Sequence, residues 1–190
     1  MTRKNALASA AVALALAAAF GAKAASDDDD RHGGHRLTAD LKGLGEVPVV
    51  SSSGRGSFRA VINNEETEIA YQLNYSSLEG AVTQAHIHVG QPHASGGISV
   101  WLCGTAAFPG PAGTPTCGAP GGPLAEAEGI ITAASIVGPA TQGIGGPLPV
   151  VDPATEFAQL ITLLRSRLAY VNVHSTMSPG GEIRGQIKVD

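Results

Sequence analysis

From Leu37 onward, apolar residues recur at every second position in one segment after another. Leu37, Ala39 and Leu41 alternate with Thr38, Asp40 and Lys42. Phe58, Ala60 and Ile62 form a second such run, and Ile69, Tyr71, Leu73 and Tyr75 a third. A period of two places one side of a strand on a core and the other away from it. The runs are separated by turn residues: Gly43 to Pro48, Ser51 to Gly56, and Asn63-Asn64-Glu65-Glu66. The last of these links is short enough to predict a hairpin. Further strands are predicted at 82–89, 98–102, 126–135, 168–174 and 182–189. The last two are joined by residues 175–181, which contain Pro179-Gly180-Gly181. Residues 104–123 and 138–151 are rich in Gly and Pro and read as long loops.

One segment changes period. Phe157, Leu160, Ile161 and Leu164 fall on one face at helical spacing. Asp152 is placed to cap the helix, and Pro153 sits where a first-turn proline is tolerated. Such a helix covers a core or plugs the end of a barrel. The predicted fold is therefore mostly β, an antiparallel β-sandwich or barrel with one short helix near the C-terminus.

The first residues do not belong to this pattern. Arg3 and Lys4 precede a run of apolar and small residues from Ala6 to Phe20, broken only by Ser9, and Ala22-Lys23-Ala24 follows. This is the order of a cleavable secretory signal, and the run is shorter than a membrane span requires. The expected organisation is a signal peptide at 1–24, an acidic leader at 25–36 and a β domain at 37–190. The leader, with four consecutive aspartates plus His32 and His35, reads as a solvated, disordered spacer. Cleavage lowers the 12 Lys and Arg to 9 against 16 Asp and Glu, a net charge of −7. That charge gives no electrostatic reason to bind nucleic acid or an anionic membrane. The expected location is periplasmic or extracellular. There Cys103 and Cys117, the only cysteines, read as a disulfide across the first Gly/Pro loop.

The alternation also assigns a polar face. In 85–89, Ala85, Ile87 and Val89 point one way and His86 and His88 the other. In 169–174, Tyr170, Asn172 and His174 lie opposite Ala169, Val171 and Val173. In 182–189, Glu182 and Arg184 lie on the polar side. If the three strands are neighbours, the histidines, Asn172, Glu182 and Arg184 converge. Two readings of that face stay open. One is a hydrogen-bonded network on an outer sheet face. The other is a copper site on His86, His88 and His174, since neutral imidazoles at i and i+2 plus a third from the next strand suit copper or zinc. His93 reads as a surface loop residue. The sequence has no GxSxG elbow, HExxH, P-loop or GxGxxG opening a helix, and no catalytic residue is assigned.

Four ordered segments resemble the CHRD domain, named after repeats in chordin. They are Leu41-Lys42-Gly43 through Glu46-Val47-Pro48; Ala85-His86-Ile87-His88-Val89-Gly90; Ala169 through Ser175; and Gly181-Glu182-Ile183-Arg184-Gly185-Gln186-Ile187. The resemblance spans about residues 37 to 189. It implies a secreted domain without an established catalytic activity, hence a non-enzymatic extracytoplasmic module that binds a protein or matrix partner or serves a structural role. A weaker similarity links His86, His88, His174 and Arg184, in that order, to copper–zinc superoxide dismutases. The zinc half of such a site has no counterpart, because only His93 lies between His88 and His174. The alternative it implies is a copper-binding protein with a dismutase-like His site.

Overall fold

The computed structural model describes residues 36–119, 127–144 and 152–190. The expected signal segment and all of the leader but Arg36 lie outside the described residues, as do 120–123 and 145–151 of the two Gly/Pro loops and 124–126 after the first, which includes the first residue of the strand expected at 126–135. The strands are β1 (Arg36–Lys42), β2 (Arg55–Ile62), β3 (Ile69–Ser76), β4 (Val82–Val89), β5 (Gly97–Gly104), β6 (Ala127–Ile131), β7 (Ala169–Ser175), β8 (Ile183–Gln186) and β9 (Lys188–Val189). The helix α1 is Pro153–Arg165, and the Asp152 carboxylate accepts from the Ala154 N–H at its start. Short 3-10 turns occupy Gly43–Gly45, Ala133–Ser135 and Ala140–Gln142.

The strands form one antiparallel sheet in the order β5-β4-β7-β8-β1-β2-β3-β6, with β9 also paired to β1. The predicted hairpin joins β2 to β3 in register from Arg55↔Ser76 to Ile62↔Ile69. The two ends of the sheet come together, which decides between sandwich and barrel. After β6 the chain turns through a reciprocal pair of Thr132 and Ser135 bonds and reaches β5, where Ile136 bridges Val100. The sheet is thus a nearly closed barrel.

Closure uses two irregularities in β5. Its register against β4 steps from Ala85↔Cys103 to His86↔Trp101, skipping Leu102, and from Ile87↔Val100 to His88↔Ile98, skipping Ser99. A bulged residue has no partner in the ladder, so its carbonyl is free for another. The Leu102 carbonyl accepts from the buried Tyr71 hydroxyl of β3 at 2.6 Å. The Ser99 carbonyl accepts from the Val137 N–H at 2.9 Å. Tyr71→Phe removes the first of these ties and leaves Leu102 O unpaired. It should lower stability by about 1–2 kcal/mol in urea titration; no change would mean that another donor takes over the carbonyl.

Inside the barrel, the apolar sets of the sequence pattern meet. Leu37, Leu41, Phe58, Ile62, Leu73, Ile87, Val171 and Ile183 are all buried in one cluster. Phe157, Leu160, Ile161 and Leu164 of α1 belong to it, so the helix covers the core. Two of the predicted strands are cut short or broken. The strand expected at 126–135 stops at Ile131, where the Thr132–Ser135 turn redirects the chain. The strand expected at 182–189 breaks at Ile187, whose N–H still bonds Ala169 O on β7, while Lys188 pairs with Thr38 on β1. Among the described residues, no helix is long and apolar enough to cross a membrane.

Candidate functional site

Strands β4 and β7 are direct neighbours, with His86 opposite Asn172, His88 opposite Tyr170 and Gln84 opposite His174. Strand β8 adds Arg184 beside Asn172. Opposite and diagonal side chains on one face of such a pair lie within reach of one another. His86, His88 and His174 therefore meet on the side of the sheet away from the apolar core. Their ring centroids are 5.0 Å apart for His86 and His174, 5.5 Å for His86 and His88, and 6.4 Å for His88 and His174. One ring nitrogen from each lies within 4.8 Å of the other two.

This face is not solvated, contrary to the default for an outer sheet face. His86 is fully buried, and His88, His174, Asn172 and Arg184 are all under 9% exposed. Three loops cover them. His88 Nδ1–H donates to Gly96 O at 2.9 Å, and His174 Nδ1–H donates to Pro179 O at 2.8 Å. Arg184 donates to Ala94 O at 2.9 Å and to Gln91 O at 3.3 Å. Its guanidinium lies 3.4 Å from the centre of the Tyr170 ring, which in turn stacks on His88. From the other side the loop after β1 brings in Glu46, close to Asn172 and Gly181.

The carbonyl bonds fix two tautomers. With Nδ1 protonated, His88 and His174 turn the lone pair of Nε2 toward the cluster. Among the described residues neither His88 Nε2 nor His86 Nε2 has a hydrogen-bond partner. His174 Nε2 lies 3.2 Å from His86 Nδ1 and 3.2 Å from Asn172 Oδ1. Burial, together with neighbouring imidazoles, pushes His86 down to about 2 and His88 down to about 4. Burial also holds His174 below the usual range. All three rings are thus neutral at pH 7, the form that binds metal. Burial pushes the Glu46 carboxyl up to about 7, against the opposing pull of Arg184.

Glu182, which the alternation places with the histidines, lies elsewhere. It precedes β8, and Ser52 Oγ at 2.6 Å and Glu79 N–H at 2.7 Å donate to its Oε1. Burial works against its charge, but hydrogen bonds from Ser175, Ser52, Glu79 and Gly80 outweigh it and hold the carboxyl low. Glu182 thus ties the 52–54 and 79–80 loops to the β7–β8 turn. His93 is exposed in the 90–96 loop. Cys103 and Cys117 form a disulfide. Two residues of the site have no counterpart in the sequence reading of the polar face. Glu46 comes from a loop, where the period of two carries no information. Trp101 of β5 packs edge-to-face on His86 at 4.3 Å between ring centres; it alternates with the core residues Val100 and Leu102, and only the pairing of β5 with β4 shows that its face is that of the histidines.

Gly181 has φ +124°, and a Cβ there would stand 2.5 Å from Glu46 Oε1 and 2.9 Å from Asn172 Nδ2. Gly181→Ala should therefore cost roughly 2 kcal/mol or more in stability, from backbone strain plus displaced polar groups. Thermal unfolding would show it; an unchanged midpoint would mean that the 176–181 turn lifts away freely.

The family model of the CHRD domain matches residues 37–187, which takes in every element that builds this site. No curated protein and no solved structure matches the chain.

Proposed function

The chain belongs to the CHRD domain family, and from that premise we propose that it is an exported binding module which holds one late first-row transition-metal ion, copper in preference to zinc, on His86, His88 and His174. One observation carries this reading: three buried, neutral imidazoles present ring nitrogens to a common point. Nitrogen ligands about 2 Å from one ion at tetrahedral angles stand roughly 3.3 Å apart. His86 Nδ1 and His174 Nε2 are 3.2 Å apart already. His88 Nε2 has to approach by no more than a side-chain adjustment, since the whole set lies within 4.8 Å. The Nδ1–H bonds of His88 and His174 to carbonyls are the outer contacts that orient metal-ligating imidazoles. Copper is preferred because divalent copper leads the general affinity order for nitrogen ligands. Export is supported by the signal-like segment 1–24 and by a disulfide suited to an oxidising compartment.

The test is metal retention. The mature chain is given one equivalent each of copper and zinc, then dialysed. Copper should remain at about one per chain, His86→Ala, His88→Ala and His174→Ala should each weaken it, and deletion of the 25–36 leader should leave it intact. Trp101 gives a second readout, because it is the only tryptophan and touches His86. Copper(II) in the cluster should quench its fluorescence, and zinc should not. If the domain retains no metal, or if loss of the leader alone abolishes retention, the histidines serve as a hydrogen-bonded network that fixes the pairing of β4 and β7.

A further inference from the structure

We propose that Asn172 supplies the fourth donor of this site through its side-chain Oδ1, and that Glu46 holds the amide in the orientation that makes this possible. The proposal rests on the metal site argued above and deepens it. Its starting point is a conflict of hydrogen-bonding roles. His174 Nδ1 donates to Pro179 O, so Nε2 carries a lone pair and no proton. Two groups stand 3.2 Å from Nε2: His86 Nδ1, whose N–H can donate to it in the metal-free protein, and Asn172 Oδ1, which is also an acceptor. Two buried acceptors this close need something positive beside them. In the metal-free protein the His86 Nδ1–H meets that need; once His86 turns its Nδ1 lone pair to an ion, Nδ1, Nε2 and Oδ1 are three acceptors in one place and only a cation satisfies them.

Turning the amide over does not relieve the conflict. The Asn172 amide nitrogen is on the Glu46 side, where one point above Gly181 lies 2.5 Å from Glu46 Oε1 and 2.9 Å from Asn172 Nδ2. Glu46 Oε1 has no hydrogen-bond partner among the described residues; as a carboxylate it can only accept, so the amide nitrogen is the group it draws and Oδ1 is left toward the histidines. A flipped amide would set Oδ1 against the carboxylate and exchange one repulsion for another. An ion bound to His86 Nδ1, His88 Nε2 and His174 Nε2 removes the conflict at once, because Oδ1 then faces a cation.

Three imidazole nitrogens and one amide oxygen form a harder donor set than nitrogen alone. An oxygen donor stabilises copper(II) and adds little to copper(I), which prefers soft ligands. Asn172 therefore sets the redox state of the bound ion, while the histidines set its position. A residue with a merely structural role would change the affinities for both oxidation states together and leave their ratio, hence the potential, unchanged.

The experiment measures copper(II) and copper(I) affinities of the mature chain at pH 8 by chelator competition, together with the reduction potential of the bound ion. Asn172→Ala should weaken copper(II) about 10–100-fold, the range typical of lost supporting contacts, with copper(I) little changed. Each tenfold raises the potential by about 59 mV for a one-electron couple. Asn172→Asp, of nearly the same shape but anionic, should tighten copper(II) and lower the potential. Glu46→Gln, which no longer selects one face of the amide, should shift the potential in the same direction as Asn172→Ala but by less. Should Asn172→Ala fail to fold, Asn172→Asp carries the test alone. A wild-type chain that retains copper and a potential that neither variant moves would overturn the Asn172 assignment and leave the three-histidine site standing. A wild-type chain that retains no copper overturns both.

Discussion

Metal-free protein taken from pH 8 to pH 4 is expected to lose on the order of 4 kcal/mol of folding stability, a figure set by the difference between opposing groups at this one site. His86 and His88 are depressed in the folded state, to about 2 and about 4. An unfolded chain protonates both near pH 6.5. Below that pH the unfolded state binds protons that the folded state refuses, so stability is fully present above about 6.5 and is lost as pH falls. Two such groups remove roughly 6 kcal/mol by pH 4, since each loses about 1.4 kcal/mol for every pH unit below its unfolded value. His174, also depressed, adds to the loss. Glu46 opposes them. Its carboxyl is raised to about 7, so between pH 7 and its unfolded value near 4.5 the folded state binds the extra proton and gains stability as pH falls. That gain is about 3 kcal/mol, enough to offset one histidine. Urea titrations at pH 8, 6, 5 and 4, with chelator present, should show this fall. Glu46→Gln removes the offset, so its fall should be steeper, on the order of 7 kcal/mol. Stability that stays flat to pH 4 in both proteins would mean that the cluster opens to solvent without unfolding. Copper should protect against the first part of the fall, because it binds the neutral rings and only the folded state assembles them.

The period of two carried most of the fold and part of the site. It placed the strands because each buries one face, and it separated His86 and His88 from Ala85 and Ile87 for the same reason. It could not show that the histidine face is buried too. That depends on the loops at 43–50, 90–96 and 176–181, whose residues follow no period and whose backbone carbonyls, at Gly96, Pro179 and Ala94, provide the contacts. A carbonyl is the same in every residue, so nothing in the side-chain sequence marks these three. Glu46 belongs to the same class, since a loop carboxylate reads as solvated until a glycine such as Gly181 is seen to leave room for it. Glu182 shows the converse. Alternation extended one residue past the true start of β8 put it with the histidines, and its actual partners are loop groups at Ser52 and Glu79. The helix and the disulfide were legible because both rest on local chemistry: an Asp-Pro start with an apolar stripe, and a pair of cysteines with no other partner.

Removing the disulfide is expected to lower the thermal midpoint by roughly 6–12 °C, for a cost of about 3 kcal/mol in a domain of this size. Cys103 and Cys117 are 14 residues apart, and the unfolded chain without the link regains the freedom of that loop. The loop is not held by the disulfide alone. Gly104 N–H donates to Pro115 O, Cys117 N–H donates to Gly104 O, and the Tyr75 hydroxyl donates to Gly118 O at 2.7 Å. These bonds remain in the reduced chain, so the fold should survive and the loss should appear as a lower midpoint rather than as unfolding. The Cys103→Ala/Cys117→Ala pair and the reduced wild type should agree within a few degrees. A greater loss in the variant would measure the packing of Cys103, which is fully buried in the core. The link also reaches the histidines. The loop it closes packs Gly110 against the Trp101 ring, where a Cβ would stand 2.7 Å from Cε3, and Trp101 packs on His86. Opening the loop should therefore loosen Trp101, seen as faster acrylamide quenching and lower fluorescence anisotropy, before any strand separates. A midpoint that does not move on reduction would assign the loop's order to the Pro115 and Gly118 bonds. Unchanged Trp101 quenching alongside a lowered midpoint would show that the disulfide stabilises the domain without supporting the wall of the His site.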